Sequence, residues 1–160
     1  MQMLYRRTSA EELLALGQDE DRAAHLLADG PDERLLDLGR AWHGVHFLLN
    51  ASAWGGTGPA FDAVLGGAQL GDPTSYEPVR LLDPDAVAAV AGLLSVTSPD
   101  QLTPRFTHRA LRQAEIYPDD AWAEPEALTN FLLPAYARLQ AFFATAAAEG
   151  DGVLIQLQRP

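Results

Sequence analysis

Apolar residues in this chain follow two rhythms. One recurs every third or fourth position and predicts helices; the other comes in short unbroken runs bounded by glycine and predicts strands. The helical rhythm is clearest in the segment LDLGRAWHGVHFLLNASAWGGTG, residues 36–58. There Trp42, Val45 and Leu49 follow an i, i+3, i+7 spacing, which predicts a helix over about 38–49, capped by Asp37, with that stripe turned to the core. His43 and His46 lie within one turn of each other on it. The segment then leaves through small and turn-forming residues, 50–59, with Trp54 on the loop.

Strand rhythm marks both ends. Met3, Leu4 and Tyr5 predict a strand within 1–8, and Val153 to Leu157 predicts the strongest strand in the chain. A lone strand has no partners for its backbone groups, so the two terminal strands are expected to pair, burying Leu154 and Leu157. Between them the helix signals are mostly caps. Ser9 and Glu12 form a capping box before a helix over 10–16 that Gly17 closes. A second short helix starts at Asp19, carries Ala23, Leu26 and Leu27, and is expected to stop at Gly30-Pro31. After the 50–59 loop come a small helix over 60–65, a loop over 68–78 and a brief apolar stretch, Val79 to Leu82. Asp83-Pro84 starts a helix whose buried stripe is Val87, Val90, Leu93 and Leu94. Ser98 and Gln101 repeat the capping box for a short helix through Phe106, and a further helix spans 107–115. Residues 116–122, rich in large rings, break the period and predict an ordered loop. A long helix over about 124–149 carries Leu128, Phe131, Leu132, Ala135, Leu139, Phe142 and Ala146, with a kink expected at Pro134. The sum is an α+β fold: a mostly helical single domain spanning 1–160 with a small sheet that pairs its N- and C-terminal strands.

Composition narrows the chemistry. With no cysteine, disulfides, thiolate catalysis and Fe–S clusters are excluded. All eleven basic residues are arginine, so Schiff-base chemistry and a Walker-type phosphate loop, which need a lysine amine, are excluded as well. The formal net charge of −11 has no basic cluster to set against it, which argues against nucleic acid and against an anionic membrane surface. No apolar run reaches the ~20 residues of a membrane span, and no apolar stretch follows the early arginines as in a secretory signal. The expected location is the cytoplasm. The oligomeric state is not encoded in any pattern here.

Three segments together resemble the YfbM-like family of small bacterial proteins, whose function is not established. They are Trp42-His-Gly-Val-His46-Phe-Leu-Leu, then Tyr76 to Asp83 running into the proline-started helix, then Glu115-Ile-Tyr-Pro118 with Trp122 and the long terminal helix. The resemblance covers nearly the whole length and implies the same α+β fold. It implies no reaction, cofactor or catalytic residue. The chain departs from the family pattern at Gln2, where glycine is more usual, and at Asn50, where threonine is.

The candidate chemistry gathers on few residues. A histidine pair three apart could hold a metal with a carboxylate, but helical sites more often use i, i+4, so no tightly held metal and no cofactor are expected. His46 as a base with Glu115 or Asp119 as an acid would make an enzyme; the competing reading, placed ahead of it, packs His46 beside Trp42, four residues earlier, with its ring nitrogens satisfied by neighbours. Gly55-Gly-Thr-Gly58 follows a helix and fails the dinucleotide fingerprint. A small-molecule pocket is expected around His46, Tyr76, Arg80, Tyr117 and Trp122, with His43, Trp54 and Glu115 beside it. The alternative, placed first, is a binding protein: an acidic partner of a basic protein, in the manner of an immunity protein that masks a toxin's basic active site, with the Trp54 and Trp122 loops as hot spots.

Overall fold

The computed structural model describes residues 1–29 and 32–159, and the chain folds as α+β. In order the elements are β1 (Gln2–Thr8), α1 (Ala10–Leu16), α2 (Glu20–Asp29), β2 (Leu35–Asp37), α3 (Trp42–Asn50), α4 (Gly58–Asp62), β3 (Ala68–Gln69), β4 (Val79–Leu82), α5 (Pro84–Val96), α6 (Pro99–Leu102), α7 (His108–Gln113), α8 (Leu133–Ala148) and β5 (Gly152–Gln158). The strands form one antiparallel sheet in the order β2-β1-β5-β4-β3. The terminal strands pair along their whole length, from Gln2 opposite Gln158 to Thr8 opposite Gly152.

Both faces of the sheet are covered, which explains why β5 carries three successive apolar residues, Val153 to Ile155, instead of alternating. Met3, Tyr5, Val153 and Ile155 face the large core under α3, α5 and α8. Leu154 and Val79 face the other way, onto Leu16 of α1 and Ala23 and Leu27 of α2. Leu154 is fully buried as expected, whereas Leu157 is only half-buried, because it pairs with Met3 near the open end of the strands. Ion pairs lash α1 and the start of β5 to β1: Arg6 and Arg34 both reach Glu12 at 2.9 Å, and Arg7 reaches Asp151 at 3.3 Å.

The caps form where the sequence places them. Ser9–Glu12 and Ser98–Gln101 are complete capping boxes, and Asp83 accepts from the Ala86 amide. Several boundaries differ. Asp37 does not cap α3. Its Oδ1 accepts from the Gly39 amide at 2.7 Å, and a 3₁₀ turn, Gly39–Ala41, intervenes before α3 begins at Trp42. β2 and β3, of three and two residues, are too short to show alternation and lie where a lead-in and a loop are expected. The last helix is not continuous from 124. A π-helical turn, Leu128–Leu132, precedes α8. Pro134 has no N–H and its ring would clash with the Asn130 carbonyl, so the backbone widens into the π-helical turn just before it. Gly150, at φ +69°, then ends α8 in the left-handed conformation, with the Asp151 amide reaching back to the Ala146 carbonyl. Leu93 is half-buried, at the edge of its stripe. The stop at Gly30-Pro31 lies outside the described residues.

Candidate functional site

The residues singled out in the sequence divide into two kinds of place. His43 and His46 are 1% and 0% exposed, and every ring nitrogen is engaged. His43 Nδ1 accepts from the Tyr117 amide at 2.9 Å, which leaves the proton on Nε2 to donate to the Ala53 carbonyl at 2.8 Å. His46 Nε2 donates to the Gly55 carbonyl at 2.9 Å, and its Nδ1 faces the Asn50 amide at 3.3 Å. Asn50 Nδ2 also donates to the Ala60 carbonyl at 2.9 Å, so this departure from the family pattern helps hold the loop. Gly56, at φ +139°, completes it: a Cβ there would sit 2.2 Å from Asn50 Oδ1. The two imidazoles therefore pin the 51–60 loop and the 117 segment to α3. Burial holds both below the usual imidazole range, which keeps them neutral. Among the described residues no group of three or more His, Asp or Glu side chains could hold a metal ion.

Trp122 is also interior. It is 1% exposed, donates from its indole to the Ile116 carbonyl, and lies against Phe106 and Phe131. Its edge reaches Gly44 on α3, where a Cβ would stand 2.8 Å from the Trp122 ring and 2.5 Å from Leu132. Arg80 does not pair with Glu77 or Glu115. It donates to the Gly66 and Val64 carbonyls and to the Met3 sulfur, closing the turn after α4, and burial lowers its pKa. Glu115 is exposed, and its role is local. At φ +55° it is the left-handed residue ending α7, with its own amide on the Arg112 carbonyl and the Ile116 amide on the Leu111 carbonyl. Thus His46, Arg80 and Trp122 are scaffold, and the expected single pocket of His46, Tyr76, Arg80, Tyr117 and Trp122 does not form, because three of the five side chains are consumed by backbone groups.

The exposed rings are elsewhere. Trp54, 61% exposed, leans over His43 at 4.4 Å between ring centroids and beside Trp42 at 6.0 Å. Tyr117 stacks on the far side of this group, 6.0 Å from Trp42 at 28°. Its hydroxyl accepts from the Met1 nitrogen at 2.8 Å and Arg40 Nε at 3.4 Å. Tyr76 is 74% exposed and carries Arg159 over its ring at 4.5 Å.

Two clefts meet at Arg40. The larger, of about 610 Å³, lies between residues 118–127 and the π-helical turn; Arg40, Pro118, Asp120, Glu124, Glu126 and Phe131 line it. Arg40 pairs with Asp120 across its mouth at 2.7 Å. Among the described residues neither Glu124 nor Glu126 has an ion-pair partner; Glu126 accepts from Asn130 at 2.6 Å. The smaller cleft, of about 330 Å³, lies at the open end of β1 and β5 and is lined by Met1, Gln2, Arg40, Gln158 and Arg159. Sequence reasoning missed the acidic cleft although it left a signal. Between Arg112 and Arg138 the chain has no basic residue, while Glu115, Asp119, Asp120, Glu124 and Glu126 fall close together.

The family model described as Domain of unknown function (DUF1877) matches residues 1–156. The chain belongs to this family. A solved structure, the protein of unknown function YfbM from Escherichia coli, is similar over 99% of this chain and 100% of its own, with a TM-score of 0.76 and 21% identity. At that identity the likeness establishes the fold alone: a YfbM-like α+β architecture with paired terminal strands. No curated protein matches the chain. The family carries no described activity, so function is argued from the two clefts. No helix among the described residues is long and apolar enough to cross a membrane.

Proposed function

We propose that this protein is a binding module whose partner is a basic protein, docked on the acidic cleft between residues 118–127 and the π-helical turn. The observation that carries the reading is the cleft itself. It is of about 610 Å³, with an apolar floor at Pro118 and Phe131 and a rim of Asp120, Glu124 and Glu126. A cavity of that size suits an arginine or lysine side chain with its flanking residues, the aliphatic stem on the floor and the charge at the rim. Trp54, exposed and backed by His43 and Trp42, is a rigid ring of the kind that anchors interfaces. On that rim Asp120 already pairs with Arg40, so Glu124 and Glu126 are the acids that, among the described residues, have no ion-pair partner, unlike Glu12 and Asp151, which arginines match. An enzyme with His46 as base finds less support, because both nitrogens of that ring are engaged.

Site-specific photo-crosslinking tests the proposal. A photoreactive residue at position 126 is expected to capture a basic protein that the same residue at position 85 does not. The double reversal Glu124→Arg, Glu126→Arg should abolish capture while thermal melting stays the same. Capture that survives the reversal contradicts the reading.

A further inference from the structure

The smaller cleft has the opposite character. In a chain with twice as many acids as bases, two arginines distant in sequence line one depression, and among the described residues none of those lining it is acidic. Arg40 comes from the turn before α3 and Arg159 follows β5. Each is held on a tyrosine ring: the Arg40 guanidinium lies 5.7 Å from the Tyr117 centroid, and that of Arg159 lies 4.5 Å from the Tyr76 centroid. The Tyr76 ring orients Arg159, and bonds to the Tyr117 hydroxyl and Asp120 orient Arg40, so both arginines are positioned before any ligand arrives. Arg40 spends Nη2 on Asp120 and Nε on Tyr117, and among the described residues its Nη1 donates to no protein atom. Gln2 and Gln158, opposite each other at the end of the β1–β5 ladder, line the same opening; Gln158 Nε2 donates one N–H to Gln156 Oε1 at 3.2 Å and keeps its second.

We infer that this cleft is an oxyanion site, for a small ligand bearing either a phosphoryl group or several carboxylates, gripped between Arg40 and Arg159 with the Gln2 and Gln158 amides as further donors. Guanidinium forks match both oxyanions, because each offers paired oxygens at the spacing of two parallel N–H groups. The net charge of −11 opposes any approaching anion. Screening limits that opposition to about 8 Å at physiological salt, so contacts inside the cleft decide binding. A ligand with at least two negative charges engages both arginines; acetate or chloride engages one and gains too little.

The test is isothermal titration of the untagged chain, since residues from both ends line the cleft, with pyrophosphate and with citrate as probes. Saturable binding at 1:1 is expected for at least one of them. Tighter pyrophosphate assigns the phosphoryl class and tighter citrate the carboxylate class. Arg40→Ala and Arg159→Ala should each weaken binding by about tenfold or more, as expected for loss of a charge-assisted fork. Arg22→Ala, on the exposed face of α2, should bind as the parent does. No saturation by either anion up to about 10 mM, an affinity too weak to need a built site, overturns the inference. So does parental affinity in either arginine variant.

Discussion

Two regions of this molecule hold the groups that could do chemistry, and they use them in opposite ways. Around α3 the buried imidazoles and Trp122 indole, and the half-buried Asn50, are bonded to backbone carbonyls and amides. Around the two clefts Glu124, Glu126, Arg40 and Arg159 are exposed; Arg40 pairs with Asp120, while among the described residues Glu124, Glu126 and Arg159 have no ion-pair partner. A buried polar group left without a partner costs about 1–3 kcal/mol, and in the first region folding satisfies these groups except the Trp42 indole N–H, which has no partner among the described residues. An exposed charge carries no such penalty and stays available to a ligand. Residue type alone points to the wrong region: His43, His46 and Trp122 draw attention, and here they hold loops in place.

The sharpest break of this comparison is His46→Ala. It removes the bond to the Gly55 carbonyl and the imidazole that Asn50 faces, and leaves a cavity beside α3. A loss of about 3 kcal/mol is expected in denaturant melts. Parental stability would mean that the ring does not hold the loop. Gly44→Ala comes next. Its new Cβ would meet Leu132 at 2.5 Å and Trp122 at 2.8 Å, so overpacking of about 1–3 kcal/mol outweighs the helix-propensity gain of about 1 kcal/mol. A more stable variant would show that α3 is free to move away from Trp122.

Acid distinguishes the regions without mutation. The folded state lowers the pKa of His43 and His46 by burial, so between their folded values and about 6.5 the unfolded chain binds more protons. The stabilisation is complete above about 6.5 and declines as pH falls through that window. Melts between pH 7 and 5.5 should show this decline, and it should shrink in a His43→Phe, His46→Phe double variant that still folds. The smallest effect is at Glu115. Its left-handed backbone suits glycine, so Glu115→Gly is expected to raise stability by up to about 1 kcal/mol. A clear loss there would show that the carboxylate has a role beyond ending α7.

Much of the fold is legible in the sequence because its signals are local. Capping boxes need residues three apart, and the apolar run Val153 to Leu157 requires a partner strand, which the other terminal run supplies. The site was less legible for a physical reason. Whether His46 is a base or a staple depends on Gly55 and Asn50 meeting it across a loop, and no spacing rule encodes that. Arg40 and Arg159 read as ordinary solvated charges until the sheet brings β1 and β5 together at the same end. The acidic cleft was half-legible, as an acid-rich stretch without arginine between 112 and 138, although the π-helical turn that shapes its wall was not.

Nitrogen-15 NMR of the imidazole rings across a pH titration tests the central claim most directly. The account predicts that His43 and His46 are both neutral at pH 7 with the proton on Nε2, and that each titrates below about 6.5, the value of a free imidazole. Rings protonated on Nδ1, or titrating at or above that value, would show imidazoles free for chemistry and contradict the division between a saturated scaffold and an available charged surface.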